Sequence, residues 1–173
     1  MQYTTQMNSF IRFDVAVNIH NYCGIALTAS YFLFFTGNLI TGNGRHYRLK
    51  MKGLFTDIAK QFYYYSIGIF KKQQPPFPLN ADRKFNPLQQ FSYVVIMYIC
   101  IPLLFITGWS LLFPEIILEK FLGLDGLQLT DFFHIVLGFI LTLFLIIHVY
   151  FSTIGIRKSN NFKSIITGWH QSP

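Results

Sequence analysis

Two histidines, His134 and His148, stand in one apolar stretch long enough to cross a bilayer. They are fourteen positions apart, a separation that leaves a helix about 40° short of four full turns and advances it by about 21 Å. Both imidazoles therefore leave the same face of one helix, one near each side of the membrane. Histidine inside a membrane helix is costly and marks function. Two on one face, a membrane thickness apart, suit two stacked cofactors and a route for electrons between them. A third histidine, His20, lies near the outer end of another apolar stretch. A b-type haem takes axial nitrogens on both faces of its porphyrin, and His20 and His134, at one depth on helices running the same way, can supply them. Gly24 and Gly138 follow these histidines by four residues. Each falls on the face of its histidine and removes the side chain that would strike the porphyrin ring. The competing reading is a pair of histidines hydrogen-bonded between helices as polar glue. His148 sits at the inner depth, where a second haem would lie. His46 and His170 occupy polar basic stretches and read as surface histidines.

The elements that must position these residues follow from composition. The chain has 173 residues, 52% hydrophobic and 12% charged, which excludes an ordinary soluble domain and a disordered one. Three stretches can span a bilayer: residues 13–41, 87–113 and 130–156. The fold class expected is an all-α membrane protein: a bundle of three transmembrane helices and an interfacial amphipathic helix, in a single domain over residues 1–173. The first span is too long for a secretory signal and lacks a basic leader and a small-residue cleavage site. The net charge of +7 is concentrated in the loop 42–86 and in the C-terminal tail, whereas the loop between the second and third spans is acidic. The positive-inside rule places the long loop and the tail in the cytoplasm, and makes the chain a multi-pass protein of the cytoplasmic (inner) membrane. Nucleic acid is not an expected partner, because such basic patches normally sit on a soluble, groove-shaped face. Cys23 and Cys100 read as buried hydrophobes rather than a disulfide.

Along the chain, Thr41-Gly42-Asn43-Gly44 ends the first span. From Leu54 to Lys72, the residues Leu54, Phe55, Ile58, Ala59, Phe62, Tyr65 and Ile69 recur at helical spacing. They describe either a helix on the inner membrane surface with tyrosines at headgroup level, or a cytoplasmic helix packed on a partner subunit. Pro87 opens the second span, Pro102 introduces a mid-span kink, and Thr107-Gly108 is a small pair that permits close helix contact. Leu129-Thr130-Asp131 is the expected N-cap region of the third span. No internal repeat is read.

These residues carry a resemblance to the di-haem cytochrome b family that anchors bacterial nickel-hydrogenases, formate dehydrogenases and thiosulfate reductases. The segment Phe13-Asp14-Val15-Ala16-Val17-Asn18-Ile19-His20-Asn21 resembles the family's second core helix with its early histidine. His134, fourteen residues later His148, and the ending His148-Val149-Tyr150 resemble its fourth. Lys84-Phe85-Asn86-Pro87-Leu88-Gln89-Gln90 resembles the opening of its third, where an asparagine lies near the quinone site. The resemblance covers the last three of four core helices. Met1-Gln2-Tyr3 resembles the end of the first, so the axial partner of His148 is expected on a helix preceding Met1. The resemblance implies haem b, one ligated by His20 and His134 and a second at His148 once that helix is supplied. It also implies a quinone as exchangeable substrate near Asn86, and a membrane-associated or extracytoplasmic redox subunit as partner.

The function expected is a b-type cytochrome subunit that passes electrons between quinone and that partner. Substrate conversion would belong to the partner, since no nucleophile–base constellation or phosphate loop is present. Asn86 keeps a second reading as a plain helix cap. The alternative function is a haem-free membrane anchor for a redox enzyme. A histidine proton relay would demand acidic residues within the spans, and only Asp14 and Asp131 stand at their mouths.

Overall fold

The computed structural model describes residues 11–78, 85–117 and 119–153, with side chains as far as Tyr150. Arg83, Lys84, His170, the basic residues Arg157, Lys158 and Lys163, the stretch Met1-Gln2-Tyr3 and the last three positions of the expected third span lie outside the described residues. The described residues are mostly helical. Helix α1 spans Phe13–Ile40, α2 spans Leu54–Tyr63, α3 spans Pro87–Val95, α4 spans Ile101–Leu112, and α5 spans Gly126–Thr153. The helices Phe13–Ile40, Pro87–Leu112 and Gly126–Tyr150 are long and apolar enough to cross a membrane. At 1.5 Å per residue, the 28 residues of α1 extend about 42 Å, more than the hydrocarbon core of about 30 Å requires. Large apolar side chains on them stand bare, Leu33 at 75% and Ile40 at 85% exposure among them. Surface of that kind is stable against lipid or another apolar surface, not against water.

The chain divides into two compact units, Met1–Val94 and Val95–Pro173. In the first, α1 ends where Thr41 closes the last turn and Gly42 takes a left-handed conformation at φ 67°, the glycine stop that the sequence announces. A short 3-10 turn, Asn43–Tyr47, follows. Gln90, on α3, donates from its side-chain amide to the backbone carbonyls of His46 and Arg48. An aromatic chain, Phe34–Tyr47–Phe85–Tyr93, with centroid separations of 5.9, 5.5 and 5.0 Å, joins the end of α1 to the start of α3. Helix α2 continues through a wide π turn, Tyr64–Gly68. A side chain at Gly68 would bring its Cβ within 2.8 Å of the Tyr64 ring, so glycine is required there.

The inward stripe of this segment differs from the apolar one read in the sequence. Leu54, Gln61 and Gly68 are buried, and Ile58 and Tyr65 half-buried, whereas Phe55 and Phe62 are exposed. The spacing is helical in both cases. The inward stripe tolerates polar residues because Asn86 hydrogen-bonds Tyr65. Phe55, Phe62 and Phe70 form a separate outward apolar surface.

Between α3 and α4 the helix widens into a second π turn, Ile96–Cys100, closed by the Ile101 N–H on the Ile96 carbonyl. Pro102 explains it: proline lacks an N–H and its ring strikes the carbonyl four residues back, and a wider turn absorbs both defects. In the second unit a miniature hairpin, β1 (Lys120–Phe121) paired antiparallel with β2 (Leu124–Asp125), precedes α5. Its loop residues Leu122 and Gly123 both have positive φ, as a tight hairpin turn demands. The cap of α5 is Asp125, whose carboxylate accepts from the Gln128 N–H at 2.9 Å, and not the Leu129–Asp131 region expected. The helix starts earlier because the hairpin delivers an aspartate directly to its N-terminus, the position carboxylates favour.

Candidate functional site

In the first unit, His20 lies on the exposed surface of α1 with Gly24 one turn on. A Cβ built on Gly24 would meet nothing within 4 Å. One further turn on, Thr28 donates its hydroxyl to the Gly24 carbonyl at 2.8 Å. In the second unit, His134 is half-buried on α5, with Gly138 one turn on. A Cβ on Gly138 would also meet nothing within 4 Å. Thr142 donates to the Gly138 carbonyl at 2.9 Å. The pattern H-x-x-x-G-x-x-x-T thus occurs twice, with the same back-bonded threonine. The three positions advance by about 40° per step, so they form one gently winding stripe on each helix. The threonine satisfies its own hydroxyl locally and leaves its methyl as lining. The recurrence is plain in the sequence once His20 and His134 are aligned. A search for long repeats overlooks it.

The imidazole of His134 also meets α4. Its Nδ1 lies 3.0 Å from the Thr107 hydroxyl. That hydroxyl is 2.9 and 3.0 Å from the backbone carbonyls of Leu103 and Leu104. The ring passes over Gly108, where an added Cβ would come within 3.1 Å of its Cε1. The small Thr107-Gly108 pair therefore does permit close approach, and the group that approaches is the histidine. His148 lies on the same helix, exposed, its ring stacked on Phe144 at 5.7 Å and 24°. The continuous helix between His134 and His148 keeps the axial rise of about 21 Å that their spacing implies.

Asn86, in the first unit, is buried, at 4% exposure. Its side-chain carbonyl accepts from the Gln89 N–H at 2.9 Å, and Gln89 returns the bond to the Asn86 N–H at 3.2 Å. This reciprocal pair is a capping box at the start of α3. The Asn86 amide also donates to the Tyr65 phenol at 2.8 Å. Burial raises the Tyr65 pKa above its ordinary value, opposed by hydrogen bonds from Asn86 and Gln61. Gln61 is 2% exposed, and its carbonyl oxygen is buried without a hydrogen-bond partner. Sequence reading missed Gln61 and the bond between Asn86 and Tyr65, which joins residues 21 positions apart.

Among the described residues, no three His, Cys, Asp or Glu side chains converge as a bare metal ion would need. A haem iron asks the protein for axial ligands alone. His20 and His134 are of the right donor type. Beside each, the open glycine leaves backbone against which a flat macrocycle can lie. The residues fit that group.

Comparison with known proteins agrees with this chemistry. Residues 1–168 match the model of a family described as prokaryotic cytochrome b561. Over 155 residues, 90% of this chain, the sequence is 37% identical to a protein of Escherichia coli (strain K12) named "Putative cytochrome YdhU". The chain spans 59% of that relative's length. No solved structure matches the chain.

Proposed function

The chain belongs to the prokaryotic cytochrome b561 family, and on that premise we propose that it is a membrane b-type cytochrome subunit passing electrons between quinone and a partner oxidoreductase. The observation that carries the reading is the doubled H-x-x-x-G-x-x-x-T stripe, with open space at Gly24 and at Gly138 among the described residues. His20 and His134 are the proposed axial ligands of one haem b, each supplying an imidazole nitrogen, with Gly24 and Gly138 clearing room beside them. His148 is the proposed ligand of a second haem. When bound, haem supplies a one-electron couple, whose potential the ligands and burial tune. The chain's own His20 and His134 would hold it.

Quinone exchange is proposed near Asn86, at the cytoplasmic end of the second span. Tyr65 and Gln61 there add a phenol and a buried amide to the hydrogen-bonding groups. The partner is proposed to be a membrane-associated or extracytoplasmic redox subunit, and the location the cytoplasmic membrane.

The full chain purified in detergent from haem-replete cells tests the reading. The reduced-minus-oxidised spectrum is expected to show the sharp bands of low-spin haem b, reducible by a quinol in proteoliposomes. A featureless difference spectrum would overturn it in favour of a haem-free anchor.

A further inference from the structure

We propose that Thr107 is a positioning residue for His134: it accepts a hydrogen bond from Nδ1–H and so fixes the tautomer whose lone pair lies on Nε2. The inference rests on the reading of His134 as a haem ligand. It follows from where the protons go. The Thr107 hydroxyl has one proton, and the backbone carbonyls of Leu103 and Leu104 stand 2.9 and 3.0 Å away to receive it. A helical threonine bonded back to its own preceding turn presents only lone pairs to a neighbour. His134 Nδ1, at 3.0 Å, must then be the donor. A neutral imidazole carries one N–H, so Nε2 holds the lone pair a metal needs. Such a partner behind the ring also raises the basicity of the ligating nitrogen and fixes ring orientation.

Gly108 is the second half of the device. With no Cβ there, the ring edge can lie against α4; an alanine would bring a carbon within 3.1 Å of Cε1. The Nδ1–Cε1 edge of the ring lies against α4, with the Thr107 hydroxyl at Nδ1 and the Cβ-free Gly108 beside Cε1. All three residues belong to the second unit.

The test compares Thr107→Val, which keeps the shape and loses the hydroxyl, with Thr107→Ser, which keeps the hydroxyl. The protein is the purified full chain, and the readouts are haem midpoint potential and low-spin electron paramagnetic resonance g-values. A more basic ligand favours the ferric state, so Thr107→Val is expected to shift the redox equilibrium about tenfold toward ferrous, about +59 mV for a one-electron couple. Thr107→Ser should restore the native value. If valine leaves potential and g-values unchanged, or serine shifts them as valine does, the hydrogen bond has no such role and the proposal falls.

His134→Ala separates this from the ligand assignment. A low-spin spectrum and haem content unchanged by His134→Ala refute the assignment itself. Nitrogen-15 resonances of the His134 ring in haem-free protein give an independent decision: an Nδ1–H tautomer supports the Thr107 bond, and an Nε2–H tautomer overturns it.

Discussion

For single residues, the proposed haem contact is tested at the glycines. Among the described residues, and leaving aside its own helix backbone, nothing lies within 4 Å of the position a Cβ on Gly138 would take. A helix glycine serving only the protein fold would gain stability on substitution, since glycine costs about 1 kcal/mol relative to alanine in a helix interior. If a macrocycle lies there, a branched side chain strikes it. Gly138→Val is therefore expected to remove most of the bound haem while helix content by circular dichroism stays constant. Full haem content in that variant would show that the stripe faces something else. The shared face of His20 with Gly24, and of His134 with Gly138, was legible in the sequence because helical spacing is local. The Thr107 contact was not, because it joins residues 27 positions apart. Asn86 was legible as a helix cap, while its bond to Tyr65, 21 positions away, was not.

At the scale of elements, α2 and its π extension are docked by polar contacts that titrate. Tyr65 is buried enough that its pKa lies above the ordinary value of about 10. A raised pKa means the folded state prefers the neutral phenol. The stabilisation is then fully present below about pH 10, the unfolded value, and is lost as pH rises through the folded one. Alkaline solution should thus release α2 before the spanning helices melt, seen as faster amide hydrogen exchange across residues 54–68 than across α4 and α5. Tyr65→Phe should abolish that alkaline step. At neutral pH it should weaken docking by about 1–3 kcal/mol, since Asn86 would be left a buried donor without its acceptor. An alkaline transition that persists in Tyr65→Phe would assign the titration to another group. The apolar period of α2 was readable from sequence, but not which stripe faces inward. Two stripes of equal period compete there, and the inward one contains Gln61 and Tyr65, whose phenol accepts from the Asn86 amide. The start of α5 was misplaced for a related reason: a two-residue hairpin loop, Leu122-Gly123, brings Asp125 into the cap.

At the scale of the whole molecule, the three spans and the family were legible because a bilayer demands long apolar helices and because histidine inside them is rare. Orientation rests on charge: the basic loop 42–86 is expected in the cytoplasm. A cysteine placed at Gln74, in a chain whose Cys23 and Cys100 are replaced by alanine, should escape an impermeant thiol reagent in intact cells. Labelling from outside would invert the topology and move Asn86 to the opposite membrane face. His20 and His134 are proposed to ligate one haem b. The most direct measurement is the low-spin haem signal, by optical spectrum and electron paramagnetic resonance, in membranes carrying His20→Ala, His134→Ala or both. Each single substitution should remove the same low-spin species, and the double variant should lose no more than either alone, because one iron needs both nitrogens. A spectrum and haem content that survive both substitutions would contradict the claim.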